Sequence, residues 1–109
     1  MEHNFPSKEE PEAIEKYVLK LTPLGSNIAA AEQFCRDHQF EKCNTWRDGG
    51  FYKQPESGDP TVVGEMHIRG FAGDYPLSEH LIASTSVYWG FDKNEKLIEV
   101  WVWKTIDGP

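Results

Sequence analysis

Ile82-Ala-Ser-Thr-Ser-Val-Tyr-Trp-Gly-Phe91 and Leu97-Ile-Glu-Val-Trp-Val-Trp-Lys-Thr105 are β-branched and aromatic runs separated by the polar stretch Asp92-Lys-Asn-Glu-Lys96. Two such runs around a short polar turn read as a β-hairpin. A regular hairpin over this turn sets Phe91 opposite Leu97, Trp89 opposite Glu99 and Val87 opposite Trp101. Its other face then pairs Tyr88 with Val100 and Ser86 with Val102. The second run is apolar at both alternating sets, Ile98, Val100 and Val102 against Leu97, Trp101 and Trp103. A strand apolar on both faces is expected at the centre of its sheet. Period-two alternation also means that the Val and Trp sets cannot share one core layer, so one of them points away from the helices.

Upstream, the hydrophobic period changes. Ile14, Tyr17, Val18 and Leu21 recur at helical spacing, giving a helix over Pro11–Leu21 with Pro11 in its first turn. Ser7-Lys-Glu-Glu10 also fits a capping box that would start it earlier, and Tyr17–Leu21 alone fits a short strand. Thr22-Pro-Leu-Gly25 breaks the helix, and Ser26 reads as the N-cap of a second one running to about His38. Ile28, Ala31, Phe34 and Cys35 form its apolar stripe. Strands follow at Lys42–Trp46 and Phe51-Tyr52 around the turn Arg47–Gly50, making a first strand pair. After the loop Gln54–Pro60 comes a strand over Thr61–Arg69, with Val62, Met66 and Ile68 facing the core and Val63, Glu65, His67 and Arg69 facing away. Gly70–Leu77 reads as a loop.

Helices first and strands afterwards, without alternation, give an α+β fold. The expected architecture is two N-terminal helices packed on one face of a four- to five-stranded antiparallel sheet. A chain of 109 residues builds one core, so the other sheet face meets solvent, a partner or a second copy. The domain spans residues 11–109, preceded by an acidic arm over residues 1–10.

The charge is uneven. The chain has 11 Lys+Arg against 18 Asp+Glu, a net −7. Within the first fifteen residues Glu2, Glu9, Glu10, Glu12 and Glu15 face only Lys8. Acidity suits the first turn of a helix and also attracts a basic protein. It disfavours nucleic acid as a partner, because phosphate binding needs a basic face. No apolar run reaches the ~18 residues of a membrane helix. Met1-Glu-His-Asn-Phe5 does not read as a signal peptide, so the chain as written is expected in the cytoplasm, and in the periplasm or outside the cell if a signal has been removed. Cys35 and Cys43, eight positions apart, read either as a disulfide or as two buried free thiols.

No catalytic motif occurs: there is no Gly-x-Ser-x-Gly, phosphate loop or His-Glu-x-x-His. Glu65 and His67, two apart on one strand face with Arg69 beyond them, form a candidate polar site or a solvated ladder. His80 or Asp74 could join them as metal ligands, but the spacing matches no metal motif, and nothing calls for a metal or a cofactor. Ser84, Thr85 and Ser86 offer hydroxyls that a nearby base could activate, and are also ordinary strand residues. The aromatic residues are more informative. Four Trp is high for this length, and Trp89, Trp101 and Trp103 all lie in the last hairpin beside Tyr88. Large rings fill small cores, and they also dominate interaction hot spots.

Thr22-Pro-Leu-Gly-Ser26 opening a helix, with Phe91-Asp92 and Lys96-Leu97 bracketing a hairpin, resembles small bacterial α+β proteins. The order of helices and then strands is also similar to small envelope lipoprotein domains of the outer-membrane assembly type. The chain departs from those in its acidic start and in lacking a lipobox cysteine there. The resemblance implies a small non-catalytic bacterial domain.

The expected function is a non-catalytic protein-binding module that uses Tyr88, Trp89, Trp101 and Trp103, in its narrower form an acidic, immunity-type inhibitor of a basic protein. The alternatives are an exported cell-envelope domain and a small enzyme or ligand binder built on Glu65 and His67.

Overall fold

The computed structural model describes residues 5–55 and 57–108, so Glu2 and the rest of the first four residues of the acidic arm lie outside it. The fold is α+β. Helices α1 (Pro11–Leu21) and α2 (Ile28–Asp37) precede strands β1 (Lys42–Trp46), β2 (Phe51–Lys53), β3 (Thr61–Val63), β4 (Met66–Pro76), β5 (Ile82–Phe91) and β6 (Leu97–Asp107). Four strands form an antiparallel sheet in the order β1-β4-β5-β6, and β2-β3 form a separate two-stranded ribbon. Both helices lie on one face of the sheet. Their stripes, Ile14 and Val18 with Ile28, Ala31, Phe34 and Cys35, enclose one core with Ile68, Val87, Trp89, Phe91, Leu97, Val100 and Val102. Burial of each large aliphatic or aromatic side chain contributes about 1.5–3 kcal/mol.

Helix α1 starts at Pro11, and Glu10 is its N-cap without a side-chain cap bond, so the Ser7 capping box is not used. Helix α2 is capped by Asn27 rather than Ser26: the Asn27 carboxamide oxygen accepts from Ala29 N–H at 2.9 Å. Ser26 instead donates its hydroxyl to Pro23 O and accepts the Leu97 N–H on its own carbonyl, which ties the interhelical loop to the last hairpin. Phe5 packs edge-on against Tyr17, Phe34 and Phe40, so the arm enters the core before α1 begins.

The C-terminus of α2 is a complete Schellman turn. Phe40 N–H donates to Cys35 O and Gln39 N–H to Arg36 O, with Gln39 left-handed at φ 54°. A side chain with a Cβ is strained there. Gln39→Gly is therefore expected to raise stability by about 0.5–1 kcal/mol, read as a higher urea midpoint at unchanged slope.

Several expectations of the sheet need correction. First, β6 is an edge strand, not a central one. Helix α1 guards part of that edge: Glu15 Oε2 accepts the outward Val102 N–H at 3.1 Å, which blunts an otherwise open ladder. Second, Gly70–Pro76 continues β4 instead of looping. Gly70 lies beneath the Phe40 and Trp89 rings, where a Cβ would meet Phe40 at 2.7 Å, and the unpaired Ala72 makes a bulge after Phe71, with Gly73 beside it at φ 119°. Third, Thr61–Arg69 is two strands broken at Gly64-Glu65. Ile68 is buried as expected, but Val62 sits on the outer ribbon, 57% exposed. The first strand pair does not form either: β1 pairs with β4, and β2 with β3. Fourth, the last hairpin has a bulge. Phe91 does face Leu97, but Gly90 faces Glu99, which leaves Ile98 unpaired. Every pair beyond it moves by one position, so Trp89 faces Val100, Val87 faces Val102, Tyr88 faces Trp101 and Ser86 faces Trp103. The bulge turns Leu97 into the core and Ile98 outward.

Candidate functional site

The register assigns every side chain of the sheet to a face. Val87, Trp89, Val100 and Val102 point to the helices, so Tyr88, Trp101 and Trp103 point away. On the same outer face His67 lies beside Trp46, Arg69 beside Tyr88 and Phe71 beside Ser86.

The outer face is not bare. The β2-β3 ribbon folds over one end of it and seals it with Phe51, which is 2% exposed. Phe51 stacks on Trp101 at 6.0 Å with rings 4° from parallel, and Tyr88 is tilted against both rings at 5.3 Å. The ribbon is pinned at its sides. His67 Nδ1 donates to Gly49 O at 2.8 Å, and Lys53 Nζ pairs with Glu99 Oε2 at 2.7 Å. Gly90 makes the approach sterically feasible, because a Cβ there would lie 2.8 Å from Val63 Cγ1 and 2.9 Å from Phe51 Cε2. Gly90→Ala is expected to lift the ribbon and destabilise the protein by about 1–3 kcal/mol, the usual cost of overpacking, with faster proteolysis inside residues 47–64. Unchanged cleavage and stability would mean that the ribbon does not rest on Gly90.

What the ribbon leaves open is a groove of about 610 Å³ between itself and the start of α1. Trp101 and Trp103 line it, the latter 41% exposed and tilted against its neighbour at 5.1 Å. Glu10, Glu12 and Glu15 form the helix wall, and Lys53-Gln54-Pro55 the ribbon wall. The charges in this groove are not equivalent. Lys53 is paired with Glu99, and Lys104 Nζ donates to Ser7 O at 2.6 Å and to Tyr75 Oη at 2.8 Å. Glu15 holds the β6 edge. Glu10 and Glu12 are exposed, and among the described residues neither side chain makes a hydrogen bond or ion pair. The free valence of the groove is therefore negative and sits beside two indole rings.

The structure separates the residues singled out in the sequence. Trp89 is fully buried: it packs against Phe34 at 5.5 Å, and its indole N–H donates to Thr22 Oγ1 at 3.1 Å. It belongs to the core and is not available to a partner. Tyr88 and Trp101 are half-buried and Trp103 is exposed, all on the outer face. Glu65 sits in the break before β4, where its N–H donates to Phe91 O, and it does not share the strand row with His67. His67 stacks on Trp46 at 4.7 Å, and Arg69 lies over the Tyr88 ring at 5.7 Å. These three residues thus have separate structural partners. Thr85 is fully buried and donates to Ser7 O, Ser86 is buried on the outer face between Phe71 and Trp103, and Ser84 donates to Asp74 Oδ1 at 2.5 Å. His80 stands in the exposed β4–β5 turn. Among the described residues no group of three or more His, Cys, Asp and Glu could hold a metal ion, and no helix is long and apolar enough to cross a membrane.

No family model, curated protein or solved structure matches this chain. The ribbon and its Phe51 seal were missed in the sequence. The available signal was Gly90, a glycine inside a strand between Trp89 and Phe91, because such a glycine marks close approach of another chain segment.

Proposed function

We propose that the chain is a protein-binding module whose Trp101–Trp103 groove takes an extended cationic segment of a partner protein. The observation that carries this reading is the juxtaposition of two accessible indoles with the unpaired carboxylates of Glu10 and Glu12. A Lys or Arg side chain entering the groove gains ring-face attraction from the tryptophans and charge attraction from the helix wall. The net charge of −7 adds long-range steering of a basic partner. An acidic, immunity-type inhibitor is the narrower form of this reading: steering would speed capture and the tryptophans would hold the complex.

Tryptophan fluorescence tests it. A lysine- and arginine-containing extended peptide is expected to change the emission saturably. Its affinity should fall about tenfold or more between 50 and 300 mM salt, as ion-dependent association requires. Equal binding of the matching glutamate peptide, or concentration-dependent self-association that blocks the groove, would overturn the assignment.

A further inference from the structure

At the other edge of the sheet, on its helix side, two cysteines meet. Cys35 ends the buried stripe of α2, and Cys43 points toward the same helix from β1, in one row with Thr45. Thr45 Oγ1 donates to Glu32 Oε2 at 2.8 Å, so this row of β1 faces α2 directly. The Schellman turn at Gln39 carries the chain straight from the helix end into β1. The two thiols open into the same cleft, close enough to interact with each other. Both are free thiols, but they differ in access: Cys35 is 3% exposed, whereas Cys43 is open to solvent. They line one cleft of about 450 Å³ together with Glu32, Arg36, Gln39 and Phe40.

The two sulfurs are chemically unequal. The hydrogen bond from Cys35 holds the Cys43 thiol below its ordinary value, against burial and Glu32, and Arg36 adds to the lowering. The same hydrogen bond and burial push the Cys35 thiol up. The accessible sulfur is thus the more readily deprotonated of the two, and thiolate is the attacking species in disulfide exchange.

We propose that Cys43 and Cys35 form a thiol–disulfide exchange site, in which Cys43 is the attacking sulfur and Cys35 the resolving one, acting on a low-molecular-weight disulfide that enters the cleft. In the first step the Cys43 thiolate forms a bond to one sulfur of R–S–S–R. The substrate S–S bond breaks, and R–S⁻ leaves and takes a proton from water. In the second step Cys35 attacks the Cys43 sulfur of the mixed disulfide and expels the second R–S⁻, the Cys35 proton passing through water to that leaving sulfur. The protein dithiol is oxidised by two electrons to the Cys35–Cys43 disulfide, and R–S–S–R is reduced to two R–SH. Both thiols line one cleft, so closing the disulfide brings together neighbouring side chains into a bond of about 2.05 Å. The Arg36 guanidinium beside the cleft favours a disulfide that carries carboxylates, of the glutathione type.

The test treats the reduced full chain with oxidised glutathione near neutral pH and follows intact mass and peptide maps. The wild type is expected to lose the mass of two hydrogens, with both thiols becoming untitratable and the Cys35 and Cys43 peptides linked, and dithiothreitol should restore it. Cys35→Ala is expected to stop at a glutathionyl adduct on Cys43. Cys43→Ala, at an exposed position where folding is not at risk, should leave Cys35 unmodified. A wild type that stays fully reduced, that accumulates a stable Cys43 adduct without closing, or that is modified first at Cys35 would overturn the proposal. If Cys35→Ala does not fold, acid quenching of the wild-type reaction at early times decides the order: the Cys43 adduct must precede the closed form.

Discussion

Replacing Trp89 by alanine is expected to lower unfolding stability by about 3–5 kcal/mol, the range for removing a large aromatic side chain from a core. Domains of this kind hold about 5–15 kcal/mol in total, so the variant should unfold at a much lower urea concentration or fail to fold cooperatively. Trp89 is the largest fully buried side chain and joins otherwise separate parts of the molecule. Its ring contacts Phe34 of α2 at 5.5 Å and Phe40 of the following turn at 6.3 Å. Its indole N–H reaches Thr22, whose own hydroxyl donates to Val18 O at 2.7 Å, so the C-terminus of α1 is tied to the centre of the sheet. Thr22→Val keeps the volume and removes the acceptor. It should cost about 1–3 kcal/mol by stranding a buried N–H. A Trp89→Ala midpoint near that of the wild type would contradict the placement of this residue in the core.

Trp103→Ala is expected to behave in the opposite way. Trp103 is 41% exposed and stands at the open side of the groove, so stability should change by less than about 1 kcal/mol. Binding of a cationic peptide should weaken by about 2 kcal/mol or more, the loss typical of a hot-spot aromatic. Glu12→Lys should act on a different quantity. It reverses a charge at the groove wall and is expected to slow association and flatten the salt dependence, while dissociation changes less. Stopped-flow fluorescence separates the two effects. If Trp103→Ala binds as the wild type does, the indoles do not make the contact. If Glu12→Lys leaves the salt dependence unchanged, the acidic wall is not part of it.

Much of the architecture was legible because it follows from periodicity. The helical stripes of α1 and α2 (apart from Leu21, which ends α1 exposed), the strand at Lys42–Trp46 and the hairpin ending in Phe91 and Leu97 are all written in single-element patterns. The errors share one cause: features whose meaning depends on a distant segment. The two apolar faces of β6 suggested a central strand, yet its outer face is covered in part by Phe51 from the ribbon, and Glu15 satisfies part of its free edge. Gly70 and Gly73 look like loop punctuation until Phe40 lies above one of them and the bulge adjoins the other.

The candidate site was legible in composition but not in orientation. Trp89, Trp101 and Trp103 are equivalent by residue type, and a regular register sets Trp89 opposite Glu99. The unpaired Ile98 moves Trp89 opposite Val100 instead, and that one-residue slip places it among the helix-facing side chains. The placement of the thiols was hidden as well. It depends on a left-handed turn at Gln39, a residue type that rarely adopts one; the spacing favoured two buried free thiols over a bridge, and both are free, but Cys43 is exposed.

The central claim, that the groove over Trp101 and Trp103 is the binding surface, is tested most directly by following the four indole N–H signals in an NMR titration with a cationic peptide. Each signal is assigned by a single Trp→Phe substitution. The Trp103 and Trp101 signals are expected to shift saturably and together, while Trp89 in the core and Trp46, stacked on His67 at the opposite edge strand, stay in place. Shifts confined to Trp46, or no shift at Trp103 at saturating peptide, would contradict the account.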